Sequence, residues 1–186
     1  MSSKRELLIN TAKRLFAEYG FHATGIDRIL AEAGVAKKTL YNHFRTKDEL
    51  IIAVLRQHDS EFRNYFMQQV ELRAKAPAER LLAIFDVVEN WFAQNNFFGC
   101  MFINAVGEYS EEDSPVRDIC REYKKLMHAY IVNLALEAGA SDPEALADEL
   151  ALLLEGAIVT AQVSDRSKPA KTAKNIASSL IKAALA

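Results

Sequence analysis

Residues 24–50, TGIDRILAEAGVAKKTLYNHFRTKDEL, leave the chain few local folds. Ile26, Ile29, Leu30 and Ala33 recur at helical spacing, and Gly34 then supplies the permissive backbone of a sharp turn. A second short helix is expected from about Lys37 to His43, with Leu40 and Phe44 turned inward. Thr24 reads as an N-cap for the first of these helices, with Asp27 three residues on. Thr46 and Glu49 form a T-x-x-E capping box that opens the next. The spacing therefore predicts helix, glycine turn, helix and a capped third helix, packed into one small unit.

The rest of the 186 residues agrees with an all-helical chain. Half of them are apolar, and only seven glycines and four prolines interrupt the pattern. Ser2 or Ser3 can cap a helix from about Lys4 to Tyr19, with Leu7, Leu8, Thr11, Ala12, Leu15 and Phe16 as its stripe and Gly20 as its stop. Two cysteines, Cys100 and Cys120, are too few for a disulfide framework and suit a reducing compartment. No apolar run approaches the roughly 18 residues of a membrane span, and charges interrupt the opening MSSKRELLIN where a signal peptide would be apolar. A cytoplasmic location is expected.

The net charge of −2 conceals an asymmetry. Residues 1–50 carry nine Lys/Arg against six Asp/Glu, a balance of +3, while the remainder stands at −5. A basic head attracts a polyanion and an acidic body repels it. Lys37, Lys38, Thr39, Tyr41, Asn42 and His43 crowd the outer side of one short helix. Lys37, Lys38 and Asn42 can donate to base edges or phosphates, Thr39 can meet a thymine methyl, and Tyr41 and His43 can reach the backbone. Lys47 stands at a helix N-terminus, where free N–H groups already favour a phosphate. A solvated polar face is the plain alternative, but the turn and caps occur together with these side chains at DNA-reading spacing.

The segment resembles the tetracycline-repressor (TetR/AcrR) family of transcriptional regulators. The likeness is carried by A-x-x-L-F at Ala12–Phe16, G-F-x-x-T at Gly20–Thr24, I-x-x-x-A-G-V at Ile29–Val35 and T-L-Y-x-H-F-x-x-K-x-x-L at Thr39–Leu50. The resemblance implies a three-helix DNA-binding domain over residues 1–47 and a helical effector-binding and dimerisation domain over 48–186, about nine helices in all. By position, Thr24, Lys38, Thr39, Tyr41, His43 and Lys47 would contact DNA, mostly phosphate. Lys37, Lys38, Thr39 and Asn42 are the candidates for base readout, and Arg28 is a further contact. The family often has a glycine or small residue where this chain has Lys38, so that cation is open to either guanine or phosphate.

The body reads as a sensor and pairing module. Pro77, Pro115 and Asp142-Pro143 mark helix starts. Phe85, Val88, Trp91, Phe92, Met101, Phe102, Met127 and Tyr130 supply apolar walls, and Asn104, Glu108 and Glu155 supply polar groups, for a pocket suited to an aromatic or amphipathic organic effector. Each of these alone is more commonly core. Leu150 to Val163 is apolar in almost every direction, so it must be buried on more than one side. The resemblance implies that this helix and the last one pair with their copies in a homodimer, through Leu150, Leu154, Ile158, Ile176, Leu180 and Ile181. The residues by themselves also permit a purely internal core. Cys100 lies in G-C-x-F-x-N-A-x-x-E, similar to a subgroup with electrophile-sensing members, which makes it a candidate thiol sensor beside the reading as a small buried residue.

An enzyme is not expected. The four histidines have no metal-type spacing, and no phosphate-binding glycine loop or nucleophile elbow is present. No cofactor and no metal are implied. The expectation is a repressor bound as a dimer to a palindromic operator and released by a small molecule. Cysteine-based sensing and an activator of the same fold stand as alternatives.

Overall fold

The computed structural model describes residues 3–186, and Ser2, one of the two expected caps, lies outside them. Nine α-helices and no strand occur among the described residues. They are α1 (Lys4–Tyr19), α2 (Ile26–Ala33), α3 (Lys37–His43), α4 (Lys47–Arg73), α5 (Pro77–Phe92), α6 (Met101–Glu108), α7 (Pro115–Glu137), α8 (Pro143–Val163) and α9 (Pro169–Ala184). Two compact units form. One takes in the chain up to Glu61 together with Met101–Tyr123, and the other Phe62–Cys100 together with Lys124–Ala186. No helix is long and apolar enough to cross a membrane among the described residues.

In the first unit, Ser3 closes a reciprocal cap on α1. Its hydroxyl accepts the Glu6 N–H at 3.2 Å, and the Glu6 carboxylate accepts the Ser3 N–H at 2.9 Å, a pairing that stabilises a helix by about 1 kcal/mol. α1 buries Leu8, Ile9, Ala12, Leu15 and Phe16 against α2 and α3. Leu7, expected on that stripe, points outward at 40% exposure, and Ile9 takes the inner place. Gly34 ends α2 in the left-handed region, φ 62°, where a side chain would be strained. Gly25, not Thr24, is the N-cap of α2, and no side chain caps that end. The box ahead of α4 is shifted by one residue. The Thr46 hydroxyl accepts the Glu49 N–H at 3.2 Å, but the Glu49 carboxylate reaches the N–H of Arg45 at 2.7 Å.

In the second unit, α5 and α8 pack on α9 and on each other. α5 contributes Leu81, Ile84, Phe85, Val88 and Phe92, all nearly inaccessible, and each such side chain stabilises the fold by about 1.5–3 kcal/mol through apolar burial. α9 turns Ala173, Ala177 and Ile181 inward, and the two alanines let helices approach closely. Lys174 Nζ donates to both Asp86 carboxylate oxygens at 2.6 and 2.7 Å, tying α9 to α5. The Asp142 carboxylate accepts the Ala145 N–H at 3.1 Å and starts α8.

Candidate nucleic-acid interface

α3 has one buried side chain, Leu40. The two residues flanking the helix on the inside, Val35 and Phe44, are also buried. That anchoring leaves Lys37, Lys38, Asn42 and His43 exposed, Tyr41 exposed at 47% and Thr39 half-exposed. The helix is thus held by its apolar residues and offers donors on the other side. Lys37 is loosely paired with Asp27 at 3.5 Å. Lys38 has no carboxylate partner among the described residues.

Two expected contacts sit differently. Thr24 is fully buried, and its hydroxyl lies 2.7 Å from the Gly20 carbonyl and 3.3 Å from the Leu15 carbonyl. It satisfies the carbonyl end of α1, which has no further turn to bond, and has no surface to offer a phosphate. Arg28 lies over the Tyr19 ring, 3.6 Å from its centroid, and its Nε reaches Glu32 at 3.4 Å. Glu32 also accepts from Arg14, and that bond, then the one to Arg28, holds the Glu32 carboxyl below its ordinary range. Arg28 is therefore already engaged within the protein.

The turn after α1 carries an arrangement that sequence patterns did not reveal. Glu108, at the end of α6, accepts the N–H of Phe21 at 2.8 Å and of His22 at 2.6 Å on its two oxygens. The neighbouring Tyr109 hydroxyl donates to Asp48 in the first turn of α4 at 3.0 Å, and its ring stands 5.0 Å from that of His22. Lys47 Nζ donates to the His22 carbonyl at 3.3 Å. Burial depresses the Lys47 ammonium pKa, against Glu108 and Asp48, which support its charge. Gly20 makes this possible. Its φ is 86°, and a Cβ there would stand 2.9 Å from Glu108 Oε1. A glycine beside a turn was the only local sign that another segment approaches.

The remaining candidate pocket residues divide between the units. In the first, Met101 and Phe102 are buried and Asn104 is half-buried. Phe102 stacks on Tyr123, ring centroids 3.8 Å apart, and on His58 at 5.5 Å. Desolvation lowers the His58 pKa to about 4. In the second unit, Phe85, Val88 and Phe92 are core. Trp91 is half-buried, its ring 5.1 Å from Phe62 and 4.9 Å from Phe97. Met127 is buried. Tyr130 is half-buried, and its enclosed hydroxyl has no hydrogen-bond partner among the described residues. Burial raises that phenol to about 12. Glu155 pairs with Lys124, whose Nζ also lies 3.9 Å from the sulfur of buried Cys100.

The expected pairing residues split by depth. Leu150, Leu154, Ile158 and Ile181 are buried inside the single chain. Ile176, at 46%, is exposed and Leu180 is half-exposed. The outward stripe of α8 is Leu152 (76%), Gly156, Val159 (42%) and Val163 (78%). An open groove of about 460 Å³ runs between α8 and α9, lined by Leu152, Gly156, Thr160, Thr172 and Ile176 among others.

Comparison with known proteins adds to this geometry. Residues 8–54 match the model of "Bacterial regulatory proteins, tetR family", and residues 77–177 match "Tetracyclin repressor-like, C-terminal domain". The crystal structure of a TetR-family transcriptional regulator from Streptomyces coelicolor is similar at 30% identity and a TM-score of 0.91, covering 98% of this chain and 96% of that one. The transcriptional repressor NemR of Escherichia coli is 25% identical over 178 residues, 91% of this chain and 89% of its own. The transcriptional activator FasR of Mycolicibacterium smegmatis is 46% identical over 55 residues, 30% of this chain and 25% of its own.

Proposed function

The chain belongs to the tetR family of bacterial regulatory proteins, DNA-binding transcriptional regulators, and from that premise we propose that it is a dimeric repressor released from its operator by a small organic molecule. The observation that carries the reading is α3, anchored by Leu40 and presenting Lys37, Lys38, Tyr41, Asn42 and His43 to solvent. A helix of this kind enters the major groove, where the lysines and Asn42 meet base edges while Tyr41, His43 and Lys47 meet phosphates. The cytoplasm is where such a protein meets its DNA.

Pairing follows from the outer face of α8 and α9. Leu152, Val159, Val163 and Ile176 form an apolar surface that a second copy of the same helices covers. Gly156 and Thr160 keep the middle of that surface shallow, so two helices can cross closely. A two-fold protein reads a two-fold site. Selection from a random-sequence duplex library should therefore enrich an inverted repeat, and enrichment of a single unrepeated half-site would contradict the reading. Leu152→Glu should leave the fold intact but shift sedimentation from dimer to monomer; an unchanged dimer would remove this face from the interface.

The effector reading rests on Tyr130, whose enclosed hydroxyl offers an unspent donor within the field of Glu71, Arg80 and Glu137. An aromatic or amphipathic ligand with an acceptor group matches that chemistry. Effector and operator then weaken each other's binding by the same factor. A thermal-shift screen of organic acids and phenols against the parent and Tyr130→Phe should find a ligand whose stabilisation is lost in the variant.

A second reading is favoured by one distance. Lys124 Nζ stands 3.9 Å from Cys100 Sγ, close enough for an ammonium to favour the thiolate. A thiolate so placed adds to the electron-poor carbon of a quinone or maleimide, which then takes up a proton, and the new bulk breaks the Lys124–Glu155 pair. Cys100→Ser should abolish quinone-induced release from DNA. Release unchanged in that variant ends this reading and leaves the first one standing.

A further inference from the structure

The nine cations of residues 1–50 sort into two groups. Lys13, Arg14, Arg28 and Lys37 each face a carboxylate within 4 Å. Lys4, Arg5, Lys38, Arg45 and Lys47 have no such partner among the described residues. Among these five, Arg5 is fixed in place without being neutralised. Its guanidinium carbon lies 5.3 Å from the centroid of the Phe44 ring, within cation–π range. Phe44 closes α3, its N–H bonded to the Leu40 carbonyl at 2.9 Å, and its ring lies 6.3 Å from that of His43.

Contact with a ring face restrains a guanidinium while leaving its N–H edge unspent, the edge that matches a phosphate in two-point fashion. Arg5 is exposed, and the ring beneath it belongs to the residue that follows His43. The exposed Arg45 comes next in the chain. We propose that Arg5, seated on Phe44, is a DNA-phosphate contact outside the reading helix, extending the footprint of α3 to the start of α1. This rests on the DNA-binding reading given above. Phe44 is its positioning residue, and the contact carries no base preference, because phosphates carry no sequence.

The test uses the full-length protein and a 30-base-pair duplex of mixed sequence, with affinity followed by fluorescence anisotropy across a salt series. Arg5→Ala should weaken binding about three- to tenfold and reduce the slope of log affinity against log salt by about 0.9 for each protomer engaged. Arg5→Lys should keep the slope, since the charge remains. Far-UV circular dichroism establishes that both variants are folded. Arg5→Ala matching the parent in affinity and slope, while Lys38→Ala lowers both, would overturn the proposal. So would a slope lost equally in Arg5→Lys, which would make the residue a packing element. A parent protein with no salt-dependent binding at all would instead overturn the DNA reading, and this inference with it.

Discussion

At the scale of single residues, the environment decides what a side chain can do more than its type does. Thr24 and His58 illustrate this. The Thr24 hydroxyl is committed to the Leu15 and Gly20 carbonyls, so its polarity serves the end of a helix. The imidazole of His58 lies against Phe102, and desolvation holds its pKa down to about 4 from an ordinary 6.5. The folded state thus binds this proton less readily than the unfolded chain. Stability from His58 is complete above pH 6.5 and is lost as pH falls towards 4. Allowing for the solvent-facing edge of the ring, the loss is about 2 kcal/mol. Urea unfolding at pH 7.5 and 4.5 should show this component in the parent and not in His58→Gln. Equal pH dependence in the two proteins would assign it to other groups.

At the scale of elements, the segment from Gly20 to His22 and the end of α6 act as one joint. Glu108 supplies two charge-assisted acceptors to the turn, bonds stronger than neutral ones. Gly20 supplies the space for them. The two residues should therefore be energetically coupled. Gly20→Ala should cost about 1–3 kcal/mol through its positive φ and the collision with Oε1. On a Glu108→Ala background the collision disappears, so the cost should fall by more than 0.5 kcal/mol. Strict additivity would mean that the joint is only proximity. This joint also marks the limit of what was legible in the sequence. Helix ends at Ser3, Gly20, Gly34, Thr46 and Asp142 were readable because caps and turns are local chemistry. The partner of the Gly20 turn lies 88 positions away in Glu108, and no local pattern points to it. α8 was ambiguous for another reason. A helix apolar on all sides does not say which stripe faces its own chain, and the structure turns Leu150, Leu154 and Ile158 inward and Leu152, Val159 and Val163 outward.

At the scale of the whole molecule, the charge asymmetry gains a physical location. Glu32 pairs with Arg14 and Arg28, Asp27 loosely with Lys37, and Glu61, further along α4, with Lys13, so the unpaired cations remain at α3 and at the starts of α1 and α4. The modest excess of +3 over residues 1–50 therefore understates the field at the reading helix. The apolar face of α8 and α9 complements this in the proposed dimer by doubling the cation set on one DNA. The most direct test of the central claim is a salt titration of binding to the duplex obtained by selection. Tyr41→Ala and Lys47→Ala should each weaken that binding by about 1–3 kcal/mol, with Lys47→Ala also reducing the salt slope by about 0.9 per protomer. Thr24→Val should lower stability and leave the slope unchanged. If Tyr41→Ala and Lys47→Ala bind with the affinity and salt dependence of the parent, the surface around α3 is not the one that meets DNA.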